Sequence, residues 1–296
     1  MPAPKVMVVL VNWNAWPDTM ECLSSCARLD YPNADLVVVD NGSSDESVAR
    51  IRDAHPEARV ITSSANLGFA GGNNLALRLA LDEGYDYIWL LNNDTVVDPG
   101  ALTSLIDGIS AHATAGAAAS KILYYSRPKT LWYAGGYFSK GGTVAHVGLD
   151  EVDEGQYDTP TETGFITGCS MLISARAARD VGVLDDDYFL YWEDAAYCMR
   201  LTDAGYSLLF APGSVIWHKE GASRGGSQGR TKVEYLNRNM LRVYAKHAPR
   251  MLPRALMSAA HEAASHIRRG EGSLALGVAS GVMRFLANNR GPIGRA

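Results

Sequence analysis

Cysteine is scarce: Cys22, Cys26, Cys169 and Cys198 are the four in 296 residues. A disulfide scaffold would carry more of them at denser spacing, so the count excludes that class and predicts reduced thiols in a cytoplasmic protein. Cys22 and Cys26 stand four apart on a predicted helix face and read as small buried hydrophobes. Basic charge is not in excess either. Lys and Arg number 27 against 32 Asp and Glu, a formal net charge of -5, and phosphate-backbone affinity needs a basic surface. No nucleic-acid partner is expected. No apolar run approaches the roughly twenty residues that cross a bilayer. The short N-terminal run VMVVLV is followed by Asn, Trp and Asp instead of a small-residue cleavage site, so it predicts a strand.

A further absence lies just after that strand, where VNWNAWPD holds no Gly, Lys or Arg. A dinucleotide fingerprint would place G-x-G-x-x-G there, and a loop gripping a triphosphate would place glycine and basic residues there. This weighs against a Rossmann oxidoreductase. A nucleotidyl-transfer enzyme and a non-catalytic nucleotide- or carbohydrate-binding module stay open as alternatives to the reading developed below.

What is present is an alternation of apolar runs with helical patterns: VMVVLV, a helix opening at Pro17, LVVVD, a helix after a Ser43-x-x-Glu46 capping box, ARVIT, a helix through NNLALRLALDEG, and YDYIWLLN. Nearly continuous apolar strands between helices predict an α/β fold, a mostly parallel sheet covered on both faces. After about residue 120 the rhythm turns to aromatic, Gly-rich segments (KILYYS, LWYAGGYFS, FITGCSMLIS) that predict mixed or antiparallel strands. The expected organisation is an α/β half over 1–120, a mixed half of the same domain over 121–246, and a C-terminal helical extension over 247–296. The extension is amphipathic, and a peripheral membrane contact, a homodimer and a plain packing surface all stay open for it.

In open α/β sheets ligands bind beyond the carboxyl ends of the strands. Five motifs fall there or beside it. LLNNDTVVDPG ends a strand at Asn92-Asn93-Asp94, where a carboxylate can hold Mg²⁺ or Mn²⁺ against substrate phosphates, or merely close an Asx turn. VVVDNGSSDES presents Asp40, whose carboxylate can accept the imide N–H of uracil or thymine. NLGFAGGNN supplies glycines for close backbone approach to a ligand and a helix N-terminus behind them. DDDYFLYWEDAAYCMRL brings aromatics up to Glu193-Asp194 at a helix start: a cap by default, or a general base behind side chains that exclude water and stack on a sugar. Last, His218 ends a strand and precedes a Gly-rich basic loop with Arg224, Arg230 and Lys232, suited to gripping and releasing a diphosphate.

Taken in order, VNWN, VVVDNGSSD, NLGFAGGNN, LLNNDT, TGCSMLI, FLYWEDAAYCMRL, WHKEGAS and YLNRN resemble family 2 of the inverting glycosyltransferases with the GT-A fold, and within it the bacterial rhamnosyltransferase-like branch, over about residues 5 to 246. The resemblance implies transfer of a sugar from a nucleotide-diphosphate donor, dTDP- or UDP-linked, to a glycan, lipid-linked or small-molecule acceptor, with L-rhamnose as the sugar this branch suggests. It implies Asp194 as catalytic base with Glu193 beside it, and Asp94 and His218 as ligands of a divalent Mg²⁺ or Mn²⁺. The donor would meet Asn12, Asp40, Asn66, Gly68, Asn93, Arg224, Arg230 and Arg238, and the acceptor Gly168, Tyr191 and Trp192. The departure is that Asn92-Asn93-Asp94 has one carboxylate where many relatives have two or three. Fewer charges predict that metal arrives mainly with the nucleotide. The acceptor-side work is expected at the cytoplasmic face of the membrane or in the cytoplasm.

Overall fold

The computed structural model describes residues 2–219 and 227–293, apart from the side chains of residues 227 and 228. The chain runs β1 (Val6–Asn12), α1 (Trp16–Cys26), β2 (Ala34–Asp40), α2 (Ser47–Ala54), β3 (Arg59–Thr62), α3 (Gly68–Asp82), β4 (Tyr87–Asn92), β5 (Thr95–Val97) and α4 (Ala101–Ser110). There follow β6 (Ala115–Tyr124), β7 (Leu131–Tyr133), β8 (Gly136–Phe138), β9 (Val144–His146), β10 (Thr161–Glu162), β11 (Ser170–Ser174), α5 (Ala175–Val181), α6 (Glu193–Asp203) and β12 (Ser207–His218). Three long helices close the chain: α7 (Ser227–His247), α8 (Leu252–Arg268) and α9 (Gly272–Leu286).

One sheet runs in the order β10-β12-β6-β11-β4-β1-β2-β3. The segment β4-β1-β2-β3 is parallel, and its central strands are apolar almost throughout because helices cover both faces. Val6 to Leu10, Val37 to Val39 and Ile88 to Leu91 are all buried. β11 enters antiparallel between β4 and β6, while β6 and β12 pair in parallel. The fold is thus the mostly parallel sheet flanked by helices that the alternating pattern predicts, with the mixed strands in the second half.

Three details differ from expectation. The Ser43-x-x-Glu46 capping box does not form: α2 starts at Ser47, and Ser43 Oγ instead accepts hydrogen bonds from Asn12 Nδ2 (3.1 Å) and the Asn14 backbone N–H (2.9 Å). The boundary expected at residue 120 falls inside β6, a ten-residue buried strand paired on both sides, so the two halves share one sheet. The C-terminal helical layer begins with α7, earlier than residue 247, because α9 packs on α7: a methyl placed on Gly281 would meet the Glu234 carbonyl oxygen at 2.5 Å. The four cysteines are buried and free.

Candidate active site

The carboxyl ends of β1, β2 and β4 carry a linked set of polar side chains. Asn12 Nδ2 donates to Asp40 Oδ1 (2.9 Å), Thr19 Oγ1 donates to Asn12 Oδ1 (2.8 Å), and Asn93 Nδ2 donates to Thr19 Oγ1 (2.8 Å). Asp40 Oδ2 also accepts from the Ser43 backbone N–H (3.1 Å). Asn12 and Asp40 are buried, Asp40 to 2% exposure, and Asn93 is half-buried. Each carboxylate oxygen of Asp40 keeps a second lone pair.

Next to this set, Asp94 follows β4 and His218 ends β12. The antiparallel register of β5 on β12 pairs His218 with Thr95, which sets His218 Nε2 3.2 Å from Asp94 Oδ1. Two cis ligands of an octahedral ion at about 2.1 Å each lie about 3 Å apart, so the pair fits one small divalent cation. The Nδ1 of His218 is buried and finds no hydrogen-bond partner among the described residues, and Trp132 packs edge-on against the ring at 4.7 Å. Among the described residues there is no cluster of three or more His, Cys, Asp or Glu arranged to hold a metal. A cation held by Asp94 and His218 would therefore take its other ligands from substrate phosphate or water.

Both residues line a cleft of about 510 Å³ that is also lined by Gly168, Tyr191, Trp192, Glu193 and Asp194. Asp194 opens α6, with Oδ2 accepting the Gly168 backbone N–H (2.9 Å) and Oδ1 the Ala195 backbone N–H (2.7 Å). It is half-buried, while Glu193 is 5% exposed with Oε2 unpartnered among the described residues. Burial pushes the Asp194 carboxyl up from the usual range against the pull of those backbone donors. Burial first, then the charge of Asp194, pushes Glu193 well above it. Of these two neighbouring carboxyls, Asp194 is the more exposed and the one held by backbone donors, which favour its charged form.

The approach to this pair is conformationally costly. Phe189, Tyr191 and Trp192 have φ of 62°, 66° and 73°, and left-handed backbone disfavours side chains of that size. Asn239 on α7 holds the segment, its Nδ2 donating to the carbonyls of Tyr188 (2.8 Å), Leu190 (2.8 Å) and Tyr191 (2.9 Å). Arg238 Nη2 adds a bond to the Tyr188 carbonyl (3.1 Å), Nη1 one to the Gly291 carbonyl (2.6 Å), and Nε one to Asn239 Oδ1 (2.9 Å). On the other side the Phe69 N–H donates to the Phe189 carbonyl (2.7 Å).

Two residues expected at the donor make contacts within the protein in this arrangement. Arg238 is fully buried with its guanidinium bonded to Asn239 and to the Tyr188 and Gly291 carbonyls, so here it holds the 188–192 segment in place of facing the cleft. Gly68, φ +74°, packs under Phe189: a methyl there would meet the Phe189 carbonyl oxygen at 2.2 Å. Its missing side chain admits the close approach of the Phe189 backbone. Asn66 is half-buried and closes the same turn, its Oδ1 accepting from Gly68 N–H (2.9 Å) and Asn41 Nδ2 (3.1 Å). Arg230 is exposed on α7 and outside the cleft lining, whereas Lys232 of that helix lines it, with Nζ 5.8 Å from the Tyr191 ring centre. Arg224 lies outside the described residues.

Several cleft residues carry no motif signal. Trp132, Val144, His146, Phe165 and Leu236 line it beside Phe69. His146 bonds the Trp132 carbonyl through Nδ1 (2.9 Å), and burial lowers its pKa, which keeps the imidazole neutral. Removing the amide that spans three carbonyls should loosen the 188–192 segment. Asn239→Ala is expected to lower stability by about 1–3 kcal/mol in thermal unfolding and to reduce turnover with donor affinity unchanged; equal loss of donor affinity would place Asn239 in the donor site.

Residues 7–182 match the family model "Glycosyl transferase family 2". The chain is 26% identical over 241 residues to the N-acetylglucosaminyl-diphospho-decaprenol L-rhamnosyltransferase of Mycobacterium tuberculosis, covering 74% of this chain and 77% of that protein. It is 23% identical over 214 residues to the poly-beta-1,6-N-acetyl-D-glucosamine synthase of Staphylococcus epidermidis, covering 72% of this chain and 49% of that one. Among solved structures it superposes on GalNAc-T7 with UDP, GalNAc and Mn²⁺ with a TM-score of 0.63 at 17% identity, covering 82% of this chain and 48%, about half, of that chain. It superposes on the mannosyltransferase PcManGT of Pyrobaculum calidifontis in complex with GDP-Man and Mn²⁺ with a TM-score of 0.60 at 16% identity, covering 97% and 88%. A family match over more than half of the chain, on a sheet of GT-A type, makes this protein a member of glycosyltransferase family 2.

Proposed function

We propose that this glycosyltransferase inverts the anomeric centre of its donor in a single displacement. The acceptor hydroxyl gives its proton to Asp194 as its oxygen bonds to the anomeric carbon, and the bond from that carbon to the donor phosphate oxygen breaks on the opposite face. The observation that carries the reading is one cleft lined by Asp94 and His218, which lie 3.2 Å apart, and by Asp194. A divalent cation on Asp94 and His218, Mg²⁺ or Mn²⁺, supplies positive charge for the departing diphosphate. Burial disfavours the charged form of Glu193, and the backbone N–H groups of Gly168 and Ala195 favour that of Asp194, so Asp194 is the member of the pair to act as base. Phe69, Tyr191 and Trp192 exclude water and offer ring faces to a sugar. Gly168 fixes the base through its N–H, and Lys232 of α7 adds a positive charge to the cleft lining.

At the nucleoside end, the free lone pairs of Asp40 take the imide N–H of uracil or thymine, with Asn12, Asn66 and Asn93 around it. This edge is common to both bases. The rhamnosyltransferase relative makes dTDP-L-rhamnose the donor to try first, and a polyprenyl-diphosphate-linked saccharide the acceptor. A panel of UDP-, dTDP- and GDP-sugars in thermal unfolding, with and without Mn²⁺, tests the donor reading. A donor at about one hundred times its Kd should add about 2.7 kcal/mol of apparent stability. Stabilisation by UDP- or dTDP-sugars with Mn²⁺ is expected; stabilisation by GDP-sugars alone would overturn the assignment of Asp40.

A further inference from the structure

The C-terminal layer presents an apolar face that no part of the described fold covers. Along α9, Leu276, Ala279, Met283 and Leu286 recur at three- and four-residue spacing, and all are exposed, the three large ones by 58%, 64% and 65%. Along α8, Leu256, Ala260 and Ile267 stand four and seven residues apart on one face and are exposed, Ile267 by 67%. Beside that stripe, Arg254, His261 and Arg268 follow one another at helical spacing and are also exposed. Contiguous exposed apolar surface on a helix of high amphipathicity marks a contact face.

Charge says what the face meets. Residues 247–296 contain seven arginines and two glutamates, a net charge of +5, in a chain whose total is -5, so residues 1–246 carry -10. Arg250, Arg254 and Arg268 make no ion pair among the described residues. We infer that α8 and α9 dock this chain on an anionic lipid bilayer, their apolar stripes in the acyl boundary and their arginines at the phosphates. A second copy meeting the same face across a two-fold axis would set +5 against +5. A nucleic acid would leave the Leu276–Leu286 stripe unpaid for by any apolar contact. A bilayer satisfies both stripes at once. It also repels the acidic remainder of the chain, which orients the docked molecule. α9 lies directly on α7, whose Lys232 and Leu236 line the cleft, so a single helix separates the docking layer from the site. Vesicle binding needs neither donor nor metal, so it stands or falls apart from the sugar-transfer reading.

The test is flotation of the full chain with vesicles of equal parts phosphatidylcholine and phosphatidylglycerol, against phosphatidylcholine alone. Co-flotation with the anionic vesicles, weakened by high salt, is expected. Arg254→Gln and Arg268→Gln should each lower partitioning about fivefold, and Met283→Asp with Leu286→Asp by roughly tenfold or more. Because these side chains are exposed, melting temperatures should not change. Absence of flotation, or flotation unaffected by the aspartate pair, overturns the inference. So does a dimer in light scattering that Met283→Asp dissociates while no vesicles are bound, or binding to single-stranded DNA that survives the aspartate pair.

Discussion

Asp194→Asn is expected to cut sugar transfer by about 10²- to 10⁴-fold while donor affinity stays at the wild-type level, because the proton that Asp194 takes belongs to the acceptor. The fold will notice the change only modestly. Both carboxylate oxygens accept backbone N–H bonds, from Gly168 and Ala195, and an amide keeps one acceptor while turning its NH₂ toward the other donor, a cost of about 1–3 kcal/mol. A residue serving only as a helix cap would show that same loss of stability with a near-normal rate in the folded state. The pH profile separates the roles further. Since burial raises the carboxyls of Glu193 and Asp194, the rate should climb with pH through an apparent pKa above the ordinary carboxylate range, the ionised form being the active one. In Asp194→Asn that limb should vanish; a limb of unchanged position would assign it to another group.

Asp94→Ala should remove the Mn²⁺-dependent part of nucleotide-sugar binding entirely, because of the proposed protein ligands His218 alone would then remain. With one protein carboxylate in the pair, the site has no reserve of negative charge. Asp98→Ala is the control: Asp98 Oδ1 accepts the Gly100 N–H (2.9 Å) at the start of α4, and its loss should leave Mn²⁺-dependent stabilisation by UDP- or dTDP-sugars intact. Equal Mn²⁺ dependence in Asp94→Ala and wild type would remove Asp94 from the metal site.

The sequence announces strand ends well and loop interiors poorly. Asp40, Asp94 and His218 stand out because each closes an apolar run, and sheet geometry sends such residues to one edge. What the sequence does not contain is the register: His218 meets Asp94 because β12 pairs with β5, a contact set by long-range pairing. Gly68 and Arg238 show the opposite case. A glycine that lets a ligand approach and one that lets a loop approach have the same local signature, and only the Phe189 carbonyl above Gly68 tells them apart. A buried arginine on α7 likewise reads as a phosphate ligand until its three donors are found on the Asn239 amide oxygen and the Tyr188 and Gly291 carbonyls. Trp132, His146 and Phe165 come from short strands and turns without periodicity, where aromatic density in LWYAGG is the sole hint.

Donor hydrolysis followed by NMR tests single displacement most directly, since water can take the acceptor's place and no acceptor need be known. In the first minutes, before mutarotation, the released sugar should have the anomeric configuration opposite to that of the donor, with release abolished in Asp194→Asn. A sugar released with the donor's own configuration would contradict attack opposite the diphosphate, and with it the role given to Asp194.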